Sequence, residues 1–319
     1  NIMSHICDRF YSCKWGVFNH FLWNKELDWN IQTRNFDVEK VARQLHDVGA
    51  KYYFITLMQG TKYMLAPNDT YNRITGYKPS EACCERDTIA DLIAALDKYG
   101  IDLYLYYTGD GPHLDEQAGT KMGYYDVNGM WTLGEDGKFH LKDPLLQITD
   151  RFVENWAAVL EDYALRYGDK IKGWWIDGCY DYIGYTPEIL DIYKNAAKKG
   201  NPNAIVAFNN GVRLAPCPQI WGNEDFTAGE STEFCYIPDR RFVDGAQMHR
   251  LLTLGYRNDS PQCDDMVGWC STGLLVSGGY LRDYINRAHK NGAVTTIDIK
   301  VYPDGSFDKE QMDALKMIK

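Results

Sequence analysis

The chain has 319 residues, of which 45% are hydrophobic and 24% are charged, and this composition excludes an intrinsically disordered protein. Its formal net charge of −10 at pH 7 argues against nucleic acids and anionic membranes as partners, because these require a basic face. We expect one domain, residues 1–319, since α/β barrels reach this length undivided.

The N-terminal segment, NIMSHICDRF, has neither the basic nor the apolar region of a signal peptide, and no apolar run is long enough to span a bilayer. We therefore expect a soluble chain, secreted or periplasmic if a signal has been removed. The nine cysteines show no C-x-x-C spacing, which predicts mostly reduced, buried thiols rather than a zinc site or a disulfide scaffold. The sequence implies no metal and no cofactor.

One unit recurs along the chain, in which an amphipathic helix ends at a glycine and an apolar, β-rich run follows. In the first copy, Asp37 precedes an apolar stripe that reaches Val48, Gly49 ends the helix, and 52–57 is the predicted strand. The second copy has Asp87 as its cap and Gly100 as its stop before a strand at 101–107.

Further copies of this unit place a helix at 144–167 before a strand at 171–176, and a helix from Thr186 before a strand near 204. A last copy ends in a strand near 293, and KWGVF and QIWGN add strands near 15 and 219. Strands that alternate with helices require a parallel sheet, because each strand returns by a helical crossover. A (β/α)₈ TIM-like barrel fits best, and an open doubly wound sheet is the alternative, although its usual glycine-rich nucleotide loops are missing.

Polar side chains follow the predicted strands at their carboxyl ends, where barrel enzymes place their active sites. These residues are His20, Gln59, Asp110, Asp177, Asn209, Asn210 and Glu224. A single aspartate there is equally well explained as a helix cap or as a member of an ion pair. Two acids, each after a strand that contains tryptophan, indicate the carboxylate pair that glycoside hydrolysis requires.

Aromatic residues beside these strand ends are candidate platforms for a sugar, although aromatic rings in barrel strands more often serve packing. Tyr107, Trp175 and Trp221 are the aromatic residues that we predict to contact substrate. Trp221 would also raise the pKa of the nearby Glu224 by desolvation.

The successive segments KWGVFNHFLW, GAKYYFITL, IDLYLYYTGDG, GWWIDG, QIWGNEDF and NGAVTTIDIKVYPDGSFDKEQMDALKMI resemble the barrel strands of the α-L-fucosidases, glycoside hydrolase family 29. The similarity extends in the same order from about residue 14 to the C-terminus. It implies a retaining exo-glycosidase that releases terminal α-L-fucose, or a close L-sugar, from a glycan by double displacement.

The resemblance also implies roles for individual residues. Asp177, in W-x-D-G, matches the nucleophile, and Glu224, in WGNE, matches the acid/base, with Glu230 and Glu233 in reserve. His20 matches a histidine that contacts sugar hydroxyls. The remaining predicted substrate contacts are Gln59, Tyr107, Trp175, Asn209 and Trp221.

The sequence departs from the family at the sugar pocket. Met58-Gln59 stands where the family has two histidines, and the fifth strand is followed by Asn210, with Arg213 nearby, where an arginine is usual. Gln59 can still donate and accept hydrogen bonds, whereas Met58 cannot replace an imidazole. The β-sandwich that often follows the family's barrel is not expected in this chain, and the loop 59–77 is the expected specificity loop.

Three alternatives remain open from the sequence. The first is a related glycosidase with another sugar specificity, or with endo action on a fucose-containing polysaccharide. The second is an inactive, carbohydrate-binding homologue, against which the two intact acids argue. The third is a metal-dependent hydrolase. Only His20 and His113 follow candidate strands, and this small number of histidines argues against a metal site.

Overall fold

The main feature of the computed structural model is a sheet of eight parallel strands. The structure describes residues 4–124, 131–133, 135–137, 139–141, 148–211, 221–261 and 268–319. We number the strands of this sheet in chain order: β1 Trp15–Asn19, β2 Tyr52–Thr56, β3 Asp102–Thr108, β4 Ile171–Asp177, β5 Ile205–Phe208, β6 Glu230–Ser231, β7 His249–Thr253 and β8 Val294–Asp298. Two short antiparallel pairs lie outside it, 131–133 with 139–141 and 242–243 with 246–247.

The strands neighbour one another in the order β5-β4-β3-β2-β1-β8-β7-β6. Each strand except β6 thus lies beside its predecessor in the chain, and β1 pairs with β8. Asp225 lies on the chain between β5 and β6 and is hydrogen-bonded to β5. Its backbone N–H donates to the carbonyl of Val206, and its carboxylate accepts the Val206 N–H, both at 2.9 Å. The predicted (β/α)₈ barrel is confirmed, and the doubly wound alternative is wrong.

Ten α-helices accompany the strands in the described part of the chain: α1 Asp8–Cys13, α2 Trp29–Asn35, α3 Val38–Val48, α4 Asp69–Thr75, α5 Thr88–Asp97, α6 Glu116–Met122, α7 Asp150–Tyr167, α8 Pro187–Ala197, α9 Gly278–Lys290 and α10 Lys309–Lys316. The predicted caps form, because the side chains of Asp37, Asp87 and Thr186 each accept a backbone N–H of the first helical turn. Gly49 ends α3 in the left-handed conformation, as the pattern predicted.

One predicted strand, QIWGN, differs from the structure in its described part, and this difference bears on the site. Residues 219 and 220 lie outside the described residues, Trp221 and Gly222 form bends, and Asn223 has no regular structure, so Glu224 lies on a loop and not at a strand end. The strands that the sequence did not predict are β6, which contains Glu230, and β7. Two residues of β6 are too few to show a hydrophobic period. The predicted helix 144–167 begins at Asp150, and its first part, 144–147, lies outside the described residues.

The barrel interior is filled largely by aromatic rings. Phe18, Phe54, Tyr104, Tyr106 and Trp175 belong to one buried cluster, while a second, larger cluster lies between strands and helices. Phe10 of α1 closes the amino end of the barrel, with its ring centroid 5.0–5.2 Å from those of Tyr52, Tyr104 and Phe226. The opposite end, where the strands finish, is the end at which barrel enzymes place their active sites.

No helix in the described ranges is long and apolar enough to cross a membrane.

Six cysteines of the described residues are free thiols, and four of them are buried, in line with the mostly reduced, buried thiols that the sequence predicts. Cys270 is disulfide-bonded, which the sequence analysis did not anticipate. Cys217 and Cys263 lie outside the described residues.

Candidate active site

Asp177 is the last residue of β4, and the glycine after it is required by the local geometry. Gly178 has φ +64°, and a Cβ at this position would lie 2.7 Å from the Oδ1 atom of Asp110, at the end of the neighbouring strand β3. The Asp-Gly sequence thus lets two strand-end acids approach one another. Asp110 in turn accepts a hydrogen bond from the hydroxyl of Thr108.

The Asp177 carboxylate is partly accessible and is held at both oxygens. The hydroxyl of Tyr106 donates to Oδ2 at 2.6 Å, and the side-chain nitrogen of Asn209 donates to Oδ1 at 2.8 Å. Burial raises the pKa of Asp177 above its ordinary value; the two hydrogen bonds oppose this rise, and the negative charge of Asp110 adds to it. The carboxylate is therefore fixed in orientation but costly to ionise.

Asn209, just past β5, also binds a second carboxylate. The same Nδ2 atom donates to Oε2 of Glu230 at 2.7 Å, so one nitrogen joins both acids. The two carboxylate oxygens consequently lie no more than about 5.5 Å apart, the limit set by their distances to that nitrogen. Asn209 is 3% exposed, and Asp177 and Glu230 both retain partial access to solvent.

Glu224, the acid/base that the resemblance implied, is bound to its own loop. Its Oε1 and Oε2 atoms accept the backbone N–H groups of Trp221 at 3.0 Å and Gly222 at 2.9 Å. Burial raises the pKa of Glu224, as expected from the sequence, although these backbone hydrogen bonds oppose the rise. No hydrogen bond among the described residues joins Glu224 to Asp177. The other reserve, Glu233, is exposed and accepts a hydrogen bond from the thiol of Cys235.

His20 is anchored by an acid that the sequence analysis did not single out. Its Nδ1 atom lies 2.6 Å from Oδ1 of Asp298, the last residue of β8, and Oδ2 of that carboxylate accepts the backbone N–H of Cys270 at 2.7 Å. Asp298 is fully buried and His20 is 6% exposed. The imidazole centroid lies 6.1 Å from the ring centroid of Tyr106. Tyr106 is the residue that donates to Asp177, so its side chain contacts both His20 and the carboxylate.

Two of the predicted aromatic contacts serve packing instead. Tyr107 points out of the barrel, stacks on Trp156 at 4.5 Å and donates its hydroxyl to the Trp156 carbonyl. Trp175 is 1% exposed, stacks on Tyr106 at 5.6 Å and donates its indole N–H to the carbonyl of Ala228. The structure brings Tyr106, rather than Tyr107, to the site, because adjacent residues of a strand face opposite sides of the sheet.

Gln59 and Trp221 each keep a buried polar atom without a partner among the described residues, the side-chain oxygen of Gln59 and the indole nitrogen of Trp221. Such atoms are uncommon in folded proteins, because leaving one unpaired costs about 1–3 kcal/mol. Both therefore suit hydrogen bonds to a ligand. No hydrogen bond of the described residues connects either side chain to the Asp177 pair.

Two residues of the site that the sequence analysis did not name, Tyr106 and Asp298, could have been predicted from the sequence. The period of two along β3 places Tyr106 on the same face as Thr108, which pairs with Asp177 in register. Asp298 ends the strand TTID, just as Asp177 ends its own strand. The described residues include no group of three His, Cys, Asp or Glu side chains that is arranged to hold a metal ion.

No protein-family model matches the chain, and no curated protein matches it. Solved structures with the same fold are similar at low sequence identity. The endo-fucoidan hydrolase P5AFcnA, of glycoside hydrolase family 107, is 14% identical with a TM-score of 0.67, over 97% of this chain and 92% of its own. The endo-fucoidan hydrolase MfFcnA9, of the same family, is 13% identical with a TM-score of 0.71, over 98% and 63%.

An α-L-fucosidase of family 29 from Bacteroides thetaiotaomicron is 16% identical with a TM-score of 0.60, over 99% of this chain and 73% of its own. The chain spans about half the length of another family 107 structure, MfFcnA4. At such identities the similarity shows a shared fold. Because it includes both families, the resemblance to family 29 is not specific to that family.

Proposed function

We propose that the protein is a glycoside hydrolase that cleaves an α-L-fucosyl bond by double displacement, with Asp177 as the nucleophile and Glu230 as the acid/base. The observation that carries this proposal is the shared nitrogen of Asn209. It limits the distance between the two carboxylate oxygens to about 5.5 Å, in keeping with the ~5–5.5 Å of retaining glycosidases and below the ~6.5–9.5 Å of inverting ones.

In the first step, an oxygen of Asp177 attacks the anomeric carbon while the glycosidic C–O bond breaks, and Glu230 gives its proton to the departing oxygen. In the second step, Glu230 takes a proton from water as the water oxygen attacks the anomeric carbon and releases Asp177. The hydrogen bonds from Tyr106 and Asn209 keep Asp177 oriented for both steps. Two carboxylates this close are more stable when one of them carries a proton, which suits the acid role of Glu230.

The assignment of the acid/base to Glu230 rather than Glu224 rests on their surroundings. Glu230 shares a hydrogen-bond donor with Asp177, whereas both oxygens of Glu224 accept backbone N–H groups of its own loop. A carboxylate whose two oxygens both accept backbone N–H groups of its own loop stabilises that loop. It is poorly placed to exchange a proton with a substrate.

The proposed sugar, L-fucose, rests on the resemblance to the fucosidases and on what the structural neighbours act on. One neighbour at 16% identity is a family 29 α-L-fucosidase described as a trapped covalent intermediate with 2-fluoro-fucosyl fluoride, obtained with a glutamate-to-glutamine variant. A covalent intermediate on that barrel agrees with double displacement here. His20, Gln59 and Trp221 are the side chains that we propose to bind the sugar.

Endo action on a fucose-containing polysaccharide is the second candidate. The endo-fucoidan hydrolases of family 107 superpose with TM-scores of 0.67–0.71, against 0.60–0.61 for the fucosidases. Exo action remains our first proposal, and the two differ in their products. An exo-enzyme releases only fucose from a fucan, whereas an endo-enzyme releases oligosaccharides first.

The test is hydrolysis of an aryl α-L-fucoside and of a fucan by the purified protein, with proton NMR following the anomer first released. Release of the α-anomer from the aryl fucoside, abolished in Asp177→Ala, supports the sugar, retention and the nucleophile together. Release of the β-anomer contradicts double displacement. If neither substrate is cleaved, the sugar or the activity proposed is wrong.

A further inference from the structure

Two tyrosines follow the proposed nucleophile and form a stacked pair at the end of the barrel where the strands finish. The rings of Tyr180 and Tyr182 are 5.0 Å apart at an interplanar angle of 14°. Tyr182 lies on the short 3₁₀ helix Asp181–Ile183, directly after β4, and is 53% exposed. An aromatic surface thus lies open to solvent three to five residues beyond Asp177.

The inner ring of this pair lies close to the acids of the site. The pKa of Tyr180 is raised, first by the negative charge of Asp177 and then by burial, with smaller contributions from charges that include Asp110 and Glu230. The backbone N–H of Cys179, the residue before Tyr180, donates to the carbonyl of Asn209 at 2.9 Å, so the pair begins beside the residue that joins the two acids. The pair extends from the half-buried ring of Tyr180 to the exposed ring of Tyr182.

The segment that carries the pair is held rigidly. The carbonyl of Tyr180 accepts the backbone N–H groups of Ile183 and Tyr185. The hydroxyl of Tyr185 donates to the carbonyl of Gly109, just after β3, and lies 2.8 Å from the hydroxyl of Tyr193 on α8. The carbonyl of Ile183 accepts the backbone N–H of Ile148 at 2.8 Å. The backbone that carries the two rings is therefore fixed by hydrogen bonds within the segment and to its neighbours.

We infer that Tyr180 and Tyr182 form a stacking surface for a second sugar unit of the substrate, next to the unit that reacts. The C–H face of a sugar ring is apolar and is stabilised by covering an exposed aromatic ring. Exposed tyrosines are common when they occur singly, but Tyr182 stacks on a second ring, that of Tyr180, three residues beyond Asp177. The inference rests on the proposed function, and it defines the substrate as an oligosaccharide or polysaccharide rather than a monosaccharide glycoside.

The test compares a substrate with one sugar and a substrate with several. α-L-Fucosyl fluoride has no aglycone ring and reports the reacting sugar alone, whereas an α-linked fucose oligosaccharide of three or more units also occupies the stacking surface. In Tyr182→Ala, the ratio of kcat/KM for the oligosaccharide to kcat/KM for the fluoride is expected to fall about tenfold, a loss of about 1.4 kcal/mol. Tyr182→Trp keeps a flat ring and is expected to preserve the ratio.

Tyr99 provides a matched control, because it forms a stacked pair with His46 at 4.7 Å but precedes β3 at the amino end of the barrel. Tyr99→Ala is expected to leave the ratio unchanged. An unchanged ratio in Tyr182→Ala overturns the inference alone. If the intact protein cleaves neither substrate, the proposed function fails, and calorimetric binding of the oligosaccharide decides the inference separately: no binding, or equal affinity in Tyr182→Ala, overturns it.

Discussion

Asp177 and Glu230 bind the same side-chain nitrogen, Nδ2 of Asn209, at 2.8 and 2.7 Å. They come from β4 and β6, on either side of the strand that Asn209 follows. An amide nitrogen has two hydrogens, and here each is directed at a different carboxylate. The spacing of the proposed pair is therefore set by one residue, and the predictions below start from it.

Replacing Asn209 should alter the ionisation of Asp177. Its hydrogen bond opposes the effect of burial on the pKa of Asp177, so Asn209→Ala raises that pKa further. Because the nucleophile must be ionised, the acidic limb of the kcat/KM profile moves to higher pH, and activity near neutral pH falls about 10²-fold. Asn201→Ala is the control, because Asn201 donates to the carbonyl of Ile171 at the other end of β4. Identical pH profiles for the two variants contradict the bridging role.

Removing the hydroxyl group should affect catalysis at Tyr106 and stability at Tyr107, although the two tyrosines are adjacent in β3. Tyr106→Phe removes the donor to Asp177 and shifts the acidic limb upward, with slower turnover, whereas Tyr107→Phe loses a hydrogen bond to the Trp156 carbonyl. We expect Tyr107→Phe to lower the free energy of unfolding by about 1 kcal/mol without changing kinetics. Denaturant titrations and pH-rate profiles of both variants measure this contrast, and equal kinetic effects would argue against it.

Asp298 is expected to act through His20, which we propose to contact the sugar. Asp298→Asn removes the charge that orients the imidazole and should raise KM about tenfold with a smaller effect on kcat. In a double-mutant cycle, Asp298→Asn should add little to the effect of His20→Ala, because the two residues act together. Fully additive effects on KM would mean that Asp298 does not work through His20.

The ionised Asp177 should destabilise the fold. Its pKa is raised by burial, so its contribution to stability is fully present below the unfolded value of about 3.9 and is lost as pH rises through the folded value. Asp177→Asn should therefore raise Tm at pH 7, and the gain should shrink towards zero as the pH falls to about 3.9. Thermal unfolding of both proteins between pH 3.5 and 8 measures this, and a gain that is constant with pH would refute it.

The sequence predicts the barrel well because each repeat carries local signals. Caps such as Asp37 and Asp87, and stops such as Gly49, depend on neighbouring residues only, so they can be recognised without a structure. The region of β6 and β7 carries weaker signals. Strand β6 has two residues, and its place is determined by contacts with β7, which are distant in the chain.

Site residues could be predicted where an apolar run in the sequence marks the end of a strand. They could not be predicted where the choice depends on a very short strand or on the side of the sheet that a residue faces. Asp177 ends the apolar strand β4 and Asn209 follows the apolar strand β5, and the structure brings them into contact. The choice between Glu224 and Glu230 depended on a strand that the sequence did not predict: Glu230 begins β6, whereas the WGNE motif pointed to Glu224, which lies on a loop. The choice between Tyr106 and Tyr107 required the alternation of faces along β3.

The central claim, that Asp177 and Glu230 form the catalytic pair, is tested most directly by azide rescue of the alanine variants on an activated aryl α-L-fucoside. We predict that azide restores turnover in Glu230→Ala and yields α-L-fucosyl azide, since azide then attacks the glycosyl-enzyme from the face that water uses. In Asp177→Ala, the product should be the β-azide. Glu224→Gln should be less stable by about 1–3 kcal/mol but remain active without azide. Azide rescue of a Glu224 variant, with Glu230→Ala fully active, would contradict the account.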